Sequence, residues 1–159
     1  MSRAPEPLSA RDEATWRGIA YLMNQLPRVL DDRLRRDAGL SVAEYAVLVH
    51  LSESASGDLR IGDLAKIVNL SPSRTSRLID AMAARGDVAK RRSADDGRSV
   101  VVGLTDAGLA TLRRAHPTQV ANIRRAVFDH LSERDVAALG TLLAKIRTGI
   151  EELSNQSSR

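Results

Sequence analysis

A mainly α-helical fold carrying one small β-hairpin is predicted by three observations. Two short helical patterns lie close together around a tight Asn69-Leu70 connection, a hairpin signal follows at Asp96-Gly97, and long apolar stripes of helical spacing lie on either side of both. Taken in order, residues 1–9 read as a disordered tail and 10–40 as a long helical stretch. Its stripe runs Ile19, Leu22, Met23, Leu26, Leu30 and Leu34, interrupted by Pro27.

A first short helix is predicted over Ile61 to Val68, with Leu64, Ala65 and Val68 facing inward. In the next helix Ser71 fits the N-cap and Pro72 the first turn, both suited to a site where backbone N–H groups lack intrahelical partners. Thr75, Leu78, Ile79 and Met82 then fall at i, i+3, i+4 and i+7, which buries one stripe. The other side presents Ser73, Arg74, Ser76, Arg77 and Asp80. Short hydrogen-bonding groups and cations near a helix N-terminus are what a recognition helix needs against base edges and phosphates. Gly86, after Arg85, reads as the helix stop.

Two short strands follow, Val88 to Lys90 and Ser99 to Leu104, around a polar tip at residues 91–98. Asp96-Gly97 supplies the turn, and Val100, Val102 and Leu104 alternate inward as a one-sided strand requires. A helix pair followed by a hairpin is a winged helix-turn-helix, predicted over residues 41–104. Between Arg74 and Arg98 there are seven cations (Arg74, Arg77, Arg85, Lys90, Arg91, Arg92, Arg98) and four anions (Asp80, Asp87, Asp95, Asp96). Much of the net charge of +4 is therefore concentrated where helix and wing would face a duplex.

Residues 105–154 are predicted to be helical again. Thr105 is placed as an N-cap before Leu109, Leu112, His116, Ile123 and Val127, with a bend at Pro117. Ser132 and Asp135 have capping-box spacing. The seam that follows, Val136, Leu139, Leu143, Ile146, Ile150 and Leu153, advances by alternating steps of three and four. Such a seam packs helices at a shallow angle, within one protomer or across a twofold axis. Residues 155–159 read as a second disordered tail.

Gly39-Leu40-Ser41 before Tyr45 and Val47-Leu48, then Leu64-Ala65, then Ser71 to Leu78, and finally Asp96-Gly97-Arg98 with Leu104-Thr105-Asp106-Ala107-Gly108 resemble MarR-family winged-helix regulators. The likeness extends from about Trp16 to Leu153. It implies a homodimer on double-stranded DNA, with a recognition helix in each major groove and a wing arginine in the adjoining minor groove. By that resemblance Ser71, Ser73, Arg74, Ser76, Arg77, Arg91, Arg92 and Arg98 face DNA, and Asp96 orients the wing. Ile19, Leu22, Leu139, Leu143, Ile146 and Ile150 then belong to the dimer interface, the terminal helices interleaving with their symmetry mates. The resemblance also implies a cleft for a small aromatic or phenolic effector, for which Trp16, Tyr21, Tyr45 and His50 are the candidates. Many relatives place Asp directly after the aromatic equivalent to Tyr45; here that residue is Ala46.

Composition restricts the alternatives. A chain of 159 residues with 43% hydrophobic and 28% charged residues suits one globular domain, and 3% aromatic content makes its core aliphatic. No apolar run approaches a membrane span, and no leader-like segment opens the chain, so a cytoplasmic location is expected. The absence of cysteine excludes disulfides, thiolate metal sites and cysteine redox switches. His50, His116 and His130 are scattered, although His50 with Glu53 makes half of a carboxylate-type motif; no metal or cofactor is predicted. Neither a nucleophile elbow nor a phosphate loop is present, so no enzyme is predicted. The expected function is sequence-specific transcriptional regulation, a ligand-responsive repressor on a pseudo-palindromic operator. The alternative is a winged helix that only binds other proteins, for which Arg74, Arg77 and Arg98 would serve little purpose.

Overall fold

The computed structural model describes residues 6–92 and 100–156. Asp96, Arg98 and the Asp96-Gly97 turn lie outside them. The elements are α1 (Ala10–Ala38), α2 (Val42–Glu53), β1 (Asp58–Arg60), α3 (Ile61–Ile67), α4 (Pro72–Ala84), β2 (Val88–Arg92), β3 (Val100–Leu104), α5 (Asp106–Ala126), a 3-10 turn (Phe128–His130) and α6 (Glu133–Gln156). Contacts divide the chain into a unit ending at Val120 and another beginning at Ala121.

In the first unit α1 runs unbroken through Pro27, although proline removes one backbone donor there. Pro27 is exposed, and Leu34, two turns further on along the same face, is the residue of α1 that is buried. Pro117 likewise leaves α5 continuous, so the bend expected there does not end the helix. The core gathers Leu34, Val47, Leu48, Leu51, Leu64, Ile79, Met82 and Val102, all essentially without exposure. Thr75, Ile79 and Met82 of the predicted stripe are buried and Leu78 is half-buried.

The connection between α3 and α4 is a Schellman closure. Leu70 N–H donates to the Ala65 carbonyl at 3.1 Å and Asn69 N–H to Lys66 at 3.3 Å. Asn69 takes φ 51°, a left-handed conformation that asparagine tolerates better than other residues with a Cβ. The end of α4 repeats the device with Gly86 at φ 81°, its N–H on Ala83 and that of Asp87 on Met82.

The sheet has three antiparallel strands in the order β1-β3-β2, one more than the sequence predicted. β1 pairs Asp58 with Gly103 and Arg60 with Val101; β2 pairs Val88 with Leu104 and Arg92 with Val100. Where β3 passes into α5, the Thr105 hydroxyl donates to the Gly86 and Asp87 carbonyls at 2.6 and 3.0 Å and accepts the Gly108 N–H at 3.0 Å. It thus caps α5, as predicted, and also ties that helix to the turn after α4. Gly108 permits this closeness, because a Cβ there would overlap the Asp87 carbonyl oxygen.

A second polar junction joins α2 to the same turn. Glu44, 7% exposed, accepts the Ser41 N–H and hydroxyl, both at 2.7 Å, and the Arg85 guanidinium at 2.7 Å. Arg85 also donates to Asp87 at 3.1 Å. The Ser41 hydroxyl accepts the Glu44 N–H in return, completing a capping box. From α1, Asp31 accepts the Val42 N–H at 2.8 Å and pairs with Arg35 at 2.6 Å.

In the second unit Ser132 and Asp135 exchange bonds as a capping box at the start of α6, which extends to Gln156 rather than fraying at 155. Those Ser132 bonds hold the Asp135 carboxyl below its usual range. No described residue of α6 is buried.

Burial opposes the charge on Glu44, yet the bonds from Ser41 and Arg85 outweigh it and hold the carboxyl below the usual range. A carboxyl with a lowered folded pKa contributes stability above its unfolded value, about 4.3, and loses it as pH falls through the folded one. Glu44→Gln should therefore cost about 1–3 kcal/mol near pH 7. Denaturant unfolding followed across pH should show the difference from wild type shrinking below about pH 4; a difference constant with pH would contradict it.

Candidate nucleic-acid interface

Ser71 occupies the N-cap of α4 as predicted, its hydroxyl accepting the Arg74 N–H at 3.4 Å and lying 3.3 Å from the Ser73 hydroxyl. Its backbone carbonyl takes the Thr75 hydroxyl at 3.1 Å. Ser71 is thus committed to building the helix end that displays its neighbours. Ser73, Arg74 and Arg77 are exposed beside one another and Ser76 is half-buried. Neither Arg74 nor Arg77 has an ion-pair partner among the described residues. Two long cations and a hydroxyl near a helix N-terminus match what phosphates and guanine edges accept.

The cations of β2 divide into two kinds. Lys90 donates to Asp80 of α4 at 2.5 Å, joining the strand to the helix. Arg91, expected to face DNA, has its guanidinium on the Asp58 carboxylate, reaching across β3 to β1. Gly103 lies beneath this bridge, where a Cβ would run into the Asp58 carboxylate. Arg92 is exposed and without a partner among the described residues. Sequence reasoning missed Asp58, Glu44 and Arg85: the Arg91–Asp58 and Arg85–Glu44 contacts span 33 and 41 residues, and only Glu44 carries a local signal, the capping-box spacing from Ser41.

The aromatic candidates for an effector site do not behave as a group. Trp16 and Tyr21 project from α1 at 55% and 66% exposure, and His50 is exposed on α2. Tyr45 is half-buried, its hydroxyl 2.7 Å from His116 Nδ1 and its ring stacked on that imidazole with centroids 6.3 Å apart. Burial, then the charge of Glu53, push the Tyr45 phenol above its ordinary pKa. It keeps its proton at neutral pH and donates it to Nδ1 when that nitrogen is unprotonated. His116 in turn lines a cavity of about 330 Å³ between α2 and α5, with Val49, Ser52, Glu53, Leu112, Arg113 and Pro117. The lining is mainly apolar and includes one cation, Arg113, and one carboxylate, Glu53. His116 was legible as a member of the stripe on the helix after Thr105, but not as a partner of Tyr45.

His50 and Glu53 acquire no third ligand: no group of three or more His, Cys, Asp or Glu residues suited to a metal occurs among the described residues. No described helix is long and apolar enough to cross a membrane. The expected interface residues are exposed in the single chain, Leu22 at 57%, Leu139 at 38%, Leu143 at 55%, Ile146 at 46% and Ile150 at 59%, while Ile19 is half-buried. Leu142, at 55%, extends the apolar face of α6 beyond the seam read from sequence.

Known proteins share this arrangement. The profile of the MarR family matches residues 38–99. The chain is similar to Sco3205, a MarR family transcriptional regulator from Streptomyces coelicolor solved in complex with DNA, at 33% identity and a TM-score of 0.80, covering 91% of this chain and 94% of that one. AbsC, a MarR family transcriptional regulator from the same organism, matches at 30% identity and a TM-score of 0.80, over 93% of this chain and 99% of that one. The HTH-type transcriptional repressor YetL of Bacillus subtilis (strain 168) is 29% identical over 112 residues, 68% of this chain and 66% of YetL, slightly under two thirds of the relative's length. The chain belongs to the MarR family of winged-helix transcriptional regulators.

Proposed function

We propose that the chain is a homodimeric, sequence-specific DNA-binding repressor that answers to a small aromatic or phenolic acid. The observation that carries the DNA reading is the pair Arg74 and Arg77, exposed and without ion-pair partners among the described residues, near the N-terminal end of a capped helix that a winged fold displays. In this reading Ser73, Arg74, Ser76, Arg77 and Arg92 meet the duplex, with Arg98 in the minor groove and Asp96 orienting the wing. Arg91 reaches a phosphate only by sharing or releasing Asp58. The solution of Sco3205 with DNA supports it, and the name of YetL supports repression. The exposed apolar faces of α1 and α6 support the dimer, since apolar surface of that extent favours burial against a partner.

If six to ten phosphates are neutralised per dimer, affinity should fall by about 10³- to 10⁵-fold between 50 and 200 mM salt. Arg74→Ala and Arg77→Ala should weaken binding, and whichever reads a base should also relax preference at one position by about 1–3 kcal/mol. Gel shifts on the upstream region of the protein's own gene measure both, and binding indifferent to salt would defeat the proposal.

The dimer is tested at Ile146. A carboxylate placed in the α6 face by Ile146→Glu would be buried without a partner, at a cost on the order of several kcal/mol. Sedimentation should show a monomer, and specific binding should vanish with it, because two half-sites about 10 base pairs apart must be engaged together. An intact mutant dimer, or a wild-type monomer, would refute this assembly.

The cavity beside His116 is the place proposed for the effector, its apolar walls suiting a ring and Arg113 a carboxylate. Coupling of about 1–3 kcal/mol would make DNA binding roughly 5- to 150-fold weaker with ligand, and ligand binding weaker by the same factor with DNA. Titration with salicylate and related phenolic acids, read by calorimetry with and without operator, measures both arms. Equal ligand affinities in the two arms would sink the regulatory part.

A further inference from the structure

We propose that Glu44 and Arg85 are positioning residues for DNA reading, fixing from the far end of α4 the angle at which Arg74 and Arg77 meet the duplex. This inference rests on the DNA-binding reading and concerns residues that do not themselves touch DNA. Arg74 and Arg85 stand eleven residues apart on or at the end of one helix, roughly 16 Å at 1.5 Å per residue. Over such an arm, a rotation of roughly 4° about the Arg85 end moves the Arg74 end by about 1 Å. Hydrogen bonds to base edges do not survive displacements of that size.

The burial of Thr75, Ile79 and Met82 holds α4 on the core, but apolar contact is non-directional and tolerates small tilts. Direction has to come from polar bonds. The Lys90–Asp80 pair is well exposed, with side chains at 37% and 55%, and contributes little in water. The Arg85–Glu44 bond is of another kind. Its cation is 45% exposed, but its carboxylate is only 10% exposed, is fixed by both Ser41 donors at the start of α2, and shares the guanidinium with an Asp87 side chain that is 8% exposed. Glu44 cannot swing without leaving two donors unpaired, so Arg85 is held against a rigid acceptor. The start of α2 is itself held by Asp31 of α1 through the Val42 N–H, so the angle of α4 is referred back to α1. Arg85 is meanwhile committed to two carboxylates, which distinguishes it from Arg74 and Arg77, neither of which has an ion-pair partner among the described residues.

The test uses the full chain and a duplex enriched by the wild type from random-sequence DNA, beside a scrambled duplex of equal length. Arg85→Ala and Glu44→Gln should each weaken binding to the enriched duplex by about 10- to 100-fold, the scale of a lost bond to a charged group. Binding to the scrambled duplex and the salt slope on either should stay at wild-type values, because no phosphate contact is removed. The double variant should be no weaker than the weaker single one, and Arg85→Lys should recover part of the loss. Thermal unfolding of each variant is followed in parallel, and if Arg85→Ala does not fold, the near-isosteric Glu44→Gln carries the comparison. Lower thermal stability with an unchanged ratio between the two duplexes would overturn the proposal in favour of a purely structural bridge. A salt slope reduced by about 0.9 in Arg85→Ala would overturn it by making Arg85 a phosphate contact. Failure of the wild type to enrich any sequence would instead overturn the DNA reading, and the proposal with it.

Discussion

The short turn at Gly86-Asp87 carries the constraint on which the rest of the winged region depends, because three elements must share one small volume there. The carbonyls of this turn accept the Thr105 hydroxyl, its Asp87 side chain accepts Arg85, and Gly108 closes on it with no room for a side chain. The end of the recognition helix, the exit from the wing and the start of α5 are thereby set relative to one another by directional bonds rather than by shape alone. A domain is stable by only about 5–15 kcal/mol, and a buried polar group left without its partner costs about 1–3. A junction of this kind is consequently a large fraction of what keeps the arrangement unique. The sequence Leu-Thr-Asp-x-Gly at residues 104–108 thus has a physical content: Thr caps and clasps, and Gly permits the approach.

Pairing within the fold also narrows the basic character of the region. A net excess of cations from Arg74 to Arg98 suggests a uniform positive face, yet Arg85, Lys90 and Arg91 are each engaged by carboxylates within the fold. What the fold leaves for a polyanion among the described residues is narrower: Arg74 and Arg77 on α4 and Arg92 on β2. Pairing within the protein is not wasted for binding, because Arg91 reaching over Gly103 to Asp58 braces β2 against β1 across the middle strand. A hairpin alone is marginally stable in water, and a third strand with a cross-sheet ion pair gives the wing a base from which to project.

What was legible in the sequence follows from the range of the interactions concerned. The cap at Ser71, the stripe Thr75-Leu78-Ile79-Met82 and the Asn69 turn are encoded within a few residues, and the structure reproduces them. The capping box at Ser132 and Asp135 is equally local. β1 was not legible, since three residues reading Asp-Leu-Arg carry no strand signal and become a strand only by pairing with β3 more than forty residues later. The Glu44–Arg85 and Tyr45–His116 contacts, 41 and 71 residues apart, were hidden for the same reason. Tyr45 could be singled out as an aromatic, whereas its partner was visible only as one member of the stripe on the helix after Thr105. Pro27 interrupts the stripe of α1 and Pro117 lies inside α5, yet neither ends its helix, because flanking turns keep each helix continuous around one missing donor.

The C-terminal helix raises a different question, that of what stabilises it. α6 has 24 residues, and none of the described ones is buried in the single chain. Gly140 and Gly149 each weaken it by about 1 kcal/mol relative to alanine, and its capping box returns about as much as one of them takes. Intrinsic propensity therefore leaves such a helix close to marginal in water, despite its length. Its apolar face, Leu139, Leu142, Leu143, Ile146 and Ile150, is the remaining source of free energy, at about 1.5–3 kcal/mol for each such side chain fully buried. Even partial burial of five of them on each of two chains exceeds the helix's own deficit. On the proposed dimer, then, the order of α6 is a product of association. Folding of this helix and pairing of the two recognition helices become one linked equilibrium, in which protein concentration acts on DNA binding in the same direction as helix stability.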